Sequence, residues 1–268
     1  MLIDTHAHLT NPLLLQNIEQ IILQAQEAGL IGVLCVGTSL EDSQQCVQLS
    51  NRFAMIRAAV GIHPNHCNEA DEGDWSGIVE LAKNPAVVAL GETGLDRYWD
   101  DCPWEIQLNY FRRHIQLARE TKLPIVIHMR DCADEMLEVL REESSQGGFR
   151  GVMHSFTGSK AIALGCLELG LHISFAGMIT FKNSAELRGV AKEIPLDRLL
   201  IETDSPYLAP HPFRGQRPNR PDLVRFTLEC LSGLYQITPD ELSQRTNENA
   251  RALFQCWSDP KLEEVRTS

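Results

Sequence analysis

The sequence predicts a single-domain α/β protein with the architecture of a TIM-like (βα)8 barrel. Three observations predict it. Eight short β-branched runs alternate with helical patterns along 268 residues, the rhythm of parallel strands joined by crossover helices. The length suits one α/β barrel of about 250 residues. The first apolar run ends in His6-Ala7-His8, where an open doubly wound sheet usually carries a Gly-rich phosphate loop.

Leu2–His6 reads as a short apolar strand. Pro12–Ala28 follows as a helix, with Leu14, Leu15, Ile18, Ile21, Ile22 and Ala25 at helical spacing and Gly29 as its stop. Ile31–Gly37 is a buried-type strand, and Ser39-Leu-Glu-Asp42 reads as a capping box opening a helix that runs to Asn51. Met55–His63 is the third strand, Asp74–Lys83 a short helix, Ala86–Glu92 the fourth strand and Trp104–Thr121 a long helix. Pro124–Met129 and Cys132–Ser144 form the fifth pair. Gly151–Ser155 is the sixth strand, followed by a helix from a Ser159 cap to Leu169. His172–Phe175 is the seventh strand, with a helix over Ser184–Glu193, and Arg198–Thr203 is the eighth. Pro221–Tyr235 and Pro239–Phe254 are helices with Pro near the first helical position. The barrel is assigned to residues 1–257 and a polar tail to residues 258–268. One long irregular stretch, Ser205–Arg220, is rich in Pro, Arg and Gly; loops of that length in compact domains are often functional.

A hydrophobic content of 43% and a charged content of 22% are ordinary globular usage and exclude a disordered acidic tail or a disulfide-dense mini-domain. Folding a chain of this mass hides roughly 70–75% of its unfolded surface, enough for a large core. The net charge of −12 argues against broad non-specific nucleic-acid binding, which needs a basic face. It leaves room for a small nucleic-acid substrate at a metal site, where bound cations reverse the local sign. The eight cysteines contain no CxxC pair, which excludes a Cys-type zinc ribbon. MLIDTHAHLT carries no signal-peptide pattern, and no apolar stretch approaches the ~18–20 residues of a membrane span. The expectation is a cytoplasmic enzyme with reduced thiols, without a membrane or an obligate protein partner.

His6 and His8 are two residues apart on a strand, so both side chains share a face, with Cα atoms ~6.5 Å apart. Both imidazoles can then reach one cation. The same strand-end position is taken by His63, Glu92, His128 and His154, and Asp204 follows the eighth strand. In a barrel these ends gather on one rim, where active sites lie. A single polar residue after a strand is a solvated boundary. Many imidazoles and carboxylates crowded together are costly to desolvate, and divalent cations remove that cost. Six ligands overfill one tetrahedral site, so two ions are expected. Glu92, with two oxygens, can bridge them, and such a pair clamps a phosphoryl group. Zn, Mn, Fe or Co suit the mixture of imidazole and carboxylate, and Mg suits it less; the sequence does not choose among them.

These residues lie in blocks that carry a family resemblance. Asp4-Thr-His-Ala-His8, Gly61-Ile-His-Pro64, Gly91-Glu-Thr-Gly-Leu-Asp96, Ile127-His-Met-Arg130, His154-Ser-Phe-Thr-Gly158 and Glu202-Thr-Asp-Ser-Pro-Tyr-Leu208 occur in that order. Arg214-Gly215, Asn219-Arg-Pro221 and Asn249-Ala250 continue the series. Over essentially its whole length the chain resembles the TatD-like metal-dependent deoxyribonucleases, a branch of the amidohydrolase superfamily. The resemblance implies His6, His8, Glu92 and Asp204 as ligands of one ion, and Glu92, His128 and His154 as ligands of the other. It implies hydrolysis of phosphodiester bonds in DNA, often as a 3′–5′ exonuclease. Thr93 and Arg97-Tyr98-Trp99 depart from the family's usual residues and bear on the pocket wall.

Asp204 is the expected proton acceptor for the attacking water, and His63 a donor to phosphate or the leaving oxygen. Arg130 shares His128's face and could hold phosphate or pair with an acid; Arg214 and Arg217 could add positive charge from the long loop. Glu202 is a partner for a ligating His, and Tyr98 and Trp99 could stack on a base or pack locally. His114, in the Arg112-Arg-His114 patch of a helix, is expected at the surface, and Asp96 is expected to stabilise its turn. DNA ends or a small phosphodiester are the expected substrates. The alternative is a binuclear enzyme of the same metal plan acting on a small amide, lactone or phosphoester, because fold and metal shell do not fix the substrate.

Overall fold

The computed structural model describes residues 1–257, and the expected polar tail 258–268 lies outside the described residues. Eight parallel strands form one sheet in sequence order: β1 (Leu2–Ala7), β2 (Leu30–Val36), β3 (Ile56–Val60), β4 (Val87–Asp96), β5 (Ile125–Arg130), β6 (Gly151–Met153), β7 (His172–Phe175) and β8 (Leu199–Ile201). The sheet closes just past β8, where Ala7 bridges Ser205 in parallel, His8 N donates to Ser205 O at 2.7 Å and Asp204 N donates to His6 O at 3.0 Å. The result is the expected (βα)8 barrel, with its strand ends gathered at one mouth.

The helices are α1 (Pro12–Leu15), α2 (Ile18–Glu27), α3 (Leu40–Arg52), α4 (Glu72–Leu81), α5 (Trp104–Thr121), α6 (Ala133–Gln146), α7 (Lys160–Glu168), α8 (Ala185–Ala191), α9 (Val224–Tyr235) and α10 (Pro239–Phe254). The segment expected as one helix over Pro12–Ala28 is two. Asn17 takes a non-helical φ of −127° and starts α2 afresh, so the apolar face re-aims between Leu14 and Ile18. The capping box expected at Ser39 is half formed. Ser39 Oγ accepts from Asp42 N at 3.2 Å, but the Asp42 carboxylate turns to Thr38 N and Oγ1 at 2.9 and 3.0 Å. Reciprocal boxes sit instead at Asp71 and Asp74, opening α4, and at Thr238 and Glu241, opening α10.

Period-2 alternation splits the apolar interior in two. Along β2, Val33 and Cys35 join the cluster that packs against the helices, while Leu34 and Val36 join a second cluster inside the barrel. Ile3, Ala59, Ala89, Val126, Val152 and Leu200 share that inner cluster with Leu253, Phe254 and Trp257 from the end of α10 and beyond. Trp257 Nε1 donates to Met55 O at 2.9 Å, anchoring this plug at the floor of the barrel. The opposite end is left to polar side chains.

Candidate metal centre

The strand ends converge as the sequence rhythm requires. His6 lies on β1 and His8 one residue beyond it, Glu92 on β4, His128 on β5, His154 directly after β6 and Asp204 after β8. Glu92 is 3% exposed and lies at the middle of the group. Its Oε2 is 3.4 Å from both His6 Nε2 and His8 Nε2. Its Oε1 is 2.8 Å from both His128 Nδ1 and His154 Nε2, and 3.5 Å from His63 Nε2. Asp204 Oδ1 closes the first set, 3.7 Å from His6 Nε2 and 3.5 Å from His8 Nε2.

Close backbone packing puts Glu92 there. Gly91 has φ +130° and Gly94 φ +148°. A Cβ on Gly91 would sit 2.6 Å from Val126 O, and one on Gly94 2.0 Å from His128 O. Only glycine allows this approach of β4 to β5. β4 also runs four residues past its expected end at Glu92, because Thr93–Asp96 pair with Ile127–Arg130. Asp204 has φ +54°, a left-handed conformation that Asp tolerates.

The outer nitrogens of the imidazoles fix their tautomers. His8 Nδ1–H donates to Val36 O at 3.1 Å, His154 Nδ1–H to Glu202 Oε1 at 3.2 Å, and His128 Nε2–H to Asp96 Oδ2 at 2.9 Å. In each case the other nitrogen faces Glu92: with the ring protonated it donates to the carboxylate, as His128 Nδ1 does to Oε1 at 2.8 Å, and with the ring neutral it is free to act as a ligand. His63 is the reverse. Its Nδ1 accepts from Asn65 N at 3.2 Å, so its proton is on Nε2 and points toward Glu92. The group thus contains three imidazoles whose inner nitrogen can serve as a ligand when deprotonated and one, His63, whose inner nitrogen keeps its proton.

Electrostatics show the same demand for positive charge. Burial works to raise the Glu92 carboxyl, but the surrounding imidazoles outweigh it and hold it well below the usual range. Burial opposes protonation of His8, and Asp204 and Glu92 outweigh it, lifting His8 to about 9. His154 is raised likewise, against burial, by Glu92 and Glu202. Burial lowers His63 to about 4, so it stays a neutral donor. Glu92 and Asp204 are both held in the charged form, and their negative charge is met by protonating His8 and His154, a role that a divalent cation in the same place could take over.

The donor set fits a divalent ion. Bonds of about 2.0–2.1 Å in a tetrahedron put neighbouring ligand atoms about 3.3 Å apart. The separations among His6, His8, Glu92 and Asp204 run from the 3.1 Å of the two Nε2 atoms to 3.7 Å. On the other side, His128 Nδ1 and His154 Nε2 are 3.4 Å apart. His6 with His8 and Glu92, and His63 with Glu92 and His128, are each close enough to hold an ion.

The arginines expected at the site stand apart from this group. Arg130, at the end of β5, is exposed and lies over the Tyr98 ring, 3.7 Å from its centroid. Arg214 lies over Phe181 at 4.3 Å. Glu202 takes the expected position behind His154. Asp96 does more than hold its turn: Oδ1 accepts from Tyr98 N and Trp99 N at 2.8 and 3.1 Å, while Oδ2 holds His128. Asp4 opens the first sequence block and has a structural role that the block alone does not assign. It accepts from Thr203 N and Oγ1 at 2.9 and 2.6 Å and so ties the strand bearing His6 to the turn bearing Asp204. Its place two residues before His6 on the same strand face was the available signal. His114 is wholly buried, not at the surface.

A family model described as TatD related DNase matches residues 3–255. The uncharacterized metal-dependent hydrolase YabD of Bacillus subtilis (strain 168) is 41% identical over 254 residues, covering 95% of this chain and 99% of YabD. The 3′-5′ ssDNA/RNA exonuclease TatD of Erwinia billingiae (strain Eb661) is 34% identical over 263 residues, covering 94% of this chain and 98% of that protein. The crystal structure of YjjV, a TatD homologue from Escherichia coli K12, superposes with a TM-score of 0.89 at 29% identity, covering 95% of this chain and 98% of YjjV. Among the described residues no helix is long and apolar enough to cross a membrane. The chain belongs to the TatD-related DNase family of metal-dependent hydrolases.

Proposed function

We propose that the chain hydrolyses phosphodiester bonds in DNA, with 3′–5′ exonuclease character, at a pair of divalent cations. His6, His8, Glu92 and Asp204 would hold one ion, and Glu92, His128 and His154 the other. One observation carries this reading: the two oxygens of Glu92 face different donor sets, Oε2 toward His6 and His8 and Oε1 toward His128 and His154. A bridging carboxylate is the natural use of that division. The 34% identical relative named as a 3′-5′ ssDNA/RNA exonuclease supports the substrate class.

Bound cations supply activation of water and neutralisation of phosphoryl charge. The chain's own groups do the rest. Asp204, with Oδ1 toward His6 and His8 and 14% of its side chain exposed, takes the proton from the attacking water. His63, neutral, donates a hydrogen bond from Nε2–H to a phosphoryl or leaving oxygen. Arg130 and Arg214 bring positive charge to the rim of an otherwise acidic chain and hold flanking phosphates.

Metal analysis of the purified protein and a substrate panel test this together. We expect up to two divalent ions per chain and release of nucleotides from single-stranded DNA with free 3′ ends. His6→Ala and Glu92→Ala lose both. Unchanged metal content and hydrolysis in those variants overturn the ligand assignment. Cleavage of lactones or dipeptides in place of any phosphodiester overturns the substrate class.

A further inference from the structure

The exposed aromatic side chains of the described residues are Tyr98, Trp99 and Tyr207, at 53%, 49% and 46% exposure. All three belong to the mouth of the barrel. Tyr98 and Trp99 follow β4, and Tyr207 follows β8 with its ring 6.1 Å from that of His8. In the strand order β1 to β8, with β8 closing on β1, the end of β4 lies across the mouth from the β8–β1 seam. The loops that carry these aromatic residues therefore leave the barrel on opposite sides of the mouth that holds the Glu92 cluster.

The β4 flank is held in place. Asp96 Oδ1 accepts both the Tyr98 and Trp99 amides, the two rings meet edge-on at 4.9 Å, and Arg130 lies over Tyr98 at 3.7 Å. No carboxylate among the described residues pairs with Arg130. On the other flank, Asn11 Nδ2 donates to the Tyr207 hydroxyl at 3.4 Å. Large apolar rings left in water around a phosphate-type centre, with an unpaired guanidinium beside them, are the parts of a single-strand platform. Any base has a π-face to stack on such rings, and the arginine meets the backbone charge.

The geometry points to a subsite for unpaired nucleobases on each side of the cluster, formed by Tyr98 and Trp99 with Arg130 on one flank and by Tyr207 on the other. This rests on the phosphodiesterase reading above and adds what the site recognises beyond the phosphate. Duplex hides the base faces, so a single strand is the form that fits.

Binding reads this without turnover. The intact chain, loaded with Mn2+, is titrated with a single-stranded oligothymidylate carrying phosphorothioate linkages, with the same backbone lacking bases, and with a duplex. We expect the base-bearing single strand to bind roughly 10- to 100-fold more tightly than the abasic strand, from the strength of base–aromatic stacking. Trp99→Ala and Tyr207→Ala each narrow that gap, and Trp99→Phe, which keeps a ring, restores most of it. Equal binding of abasic and base-bearing strands, equal binding of duplex, or variants that weaken both strands alike, overturns the platform. The phosphodiesterase reading fails separately, if the wild-type chain with Mn2+ cleaves neither normal DNA nor bis(p-nitrophenyl) phosphate.

Discussion

His114 Nε2 accepts the backbone N–H of Ile62 at 3.2 Å. The imidazole stands on α5, behind the sheet, and Ile62 immediately precedes His63. Its Nδ1–H donates to Tyr110 O at 2.7 Å, and the hydroxyl of Thr93, next to Glu92, is 3.2 Å away. One buried neutral ring thus joins the strand ends that carry His63 and Glu92.

Burial lowers His114 from 6.5 to about 4. The unfolded chain therefore takes up the proton first as pH falls. The stabilisation is complete above pH 6.5 and is lost between 6.5 and 4, at most about 3 kcal/mol. His114→Gln keeps an acceptor for Ile62 but does not titrate. Urea unfolding from pH 7 to 4.5 should fall less steeply in that variant, by about 1–3 kcal/mol across the window. Parallel curves would refute the assignment.

Asp96 links His128 to the aromatic loop. Asp96→Asn leaves an acceptor for the Tyr98 and Trp99 amides and weakens the hold on His128 Nε2. We expect the affinity for the ion held by His128 to drop about 10- to 100-fold, as for other lost partners of metal-binding imidazoles. Competition with a chelating dye measures it; an unaltered affinity would separate Asp96 from the metal centre.

Asp204→Asn keeps the shape of the first donor set but removes a charge and the proton acceptor. Metal content should be largely retained while kcat falls about 10²- to 10⁴-fold. Single-turnover cleavage at saturating metal distinguishes this from metal loss, and wild-type turnover would eliminate Asp204 as the acceptor.

Gly94→Ala forces a Cβ to 2.0 Å from His128 O at φ +148°. The strand must shift, at a cost of about 2 kcal/mol or more, and it takes His128 with it. Chemical denaturation should show the loss together with weaker metal binding. A fully stable variant with normal metal affinity would mean that β4 and β5 can separate freely here.

The βα rhythm, the barrel class and the strand-end histidines were legible because they rest on local patterning: period 2 in strands, period 3.6 in helices, and polar residues where apolar runs stop. Errors arose where a local pattern met a long-range partner. His114 sits beside two arginines and looks solvated, yet Ile62, 52 residues earlier, supplies the donor that makes its burial affordable. The Pro12–Ala28 pattern is helical throughout, yet the chain must turn at Asn17 to lay α2 along the barrel. Asp96 reads as a turn residue, and its second oxygen found His128 only through the β4–β5 register.

By itself the sequence determined which residue types stand at the strand ends and that those ends share one rim. Only the tertiary structure decided which atoms face which: that Glu92 divides its oxygens between two donor sets, that His8 and His154 turn Nε2 and His128 turns Nδ1 toward it, that His63 turns a protonated Nε2, and that the loops bearing the exposed rings leave the mouth on opposite sides. The physical reason is that tautomer and lone-pair direction are set by hydrogen bonds from residues remote in sequence, such as Val36, Asp96 and Glu202, and no local pattern carries them.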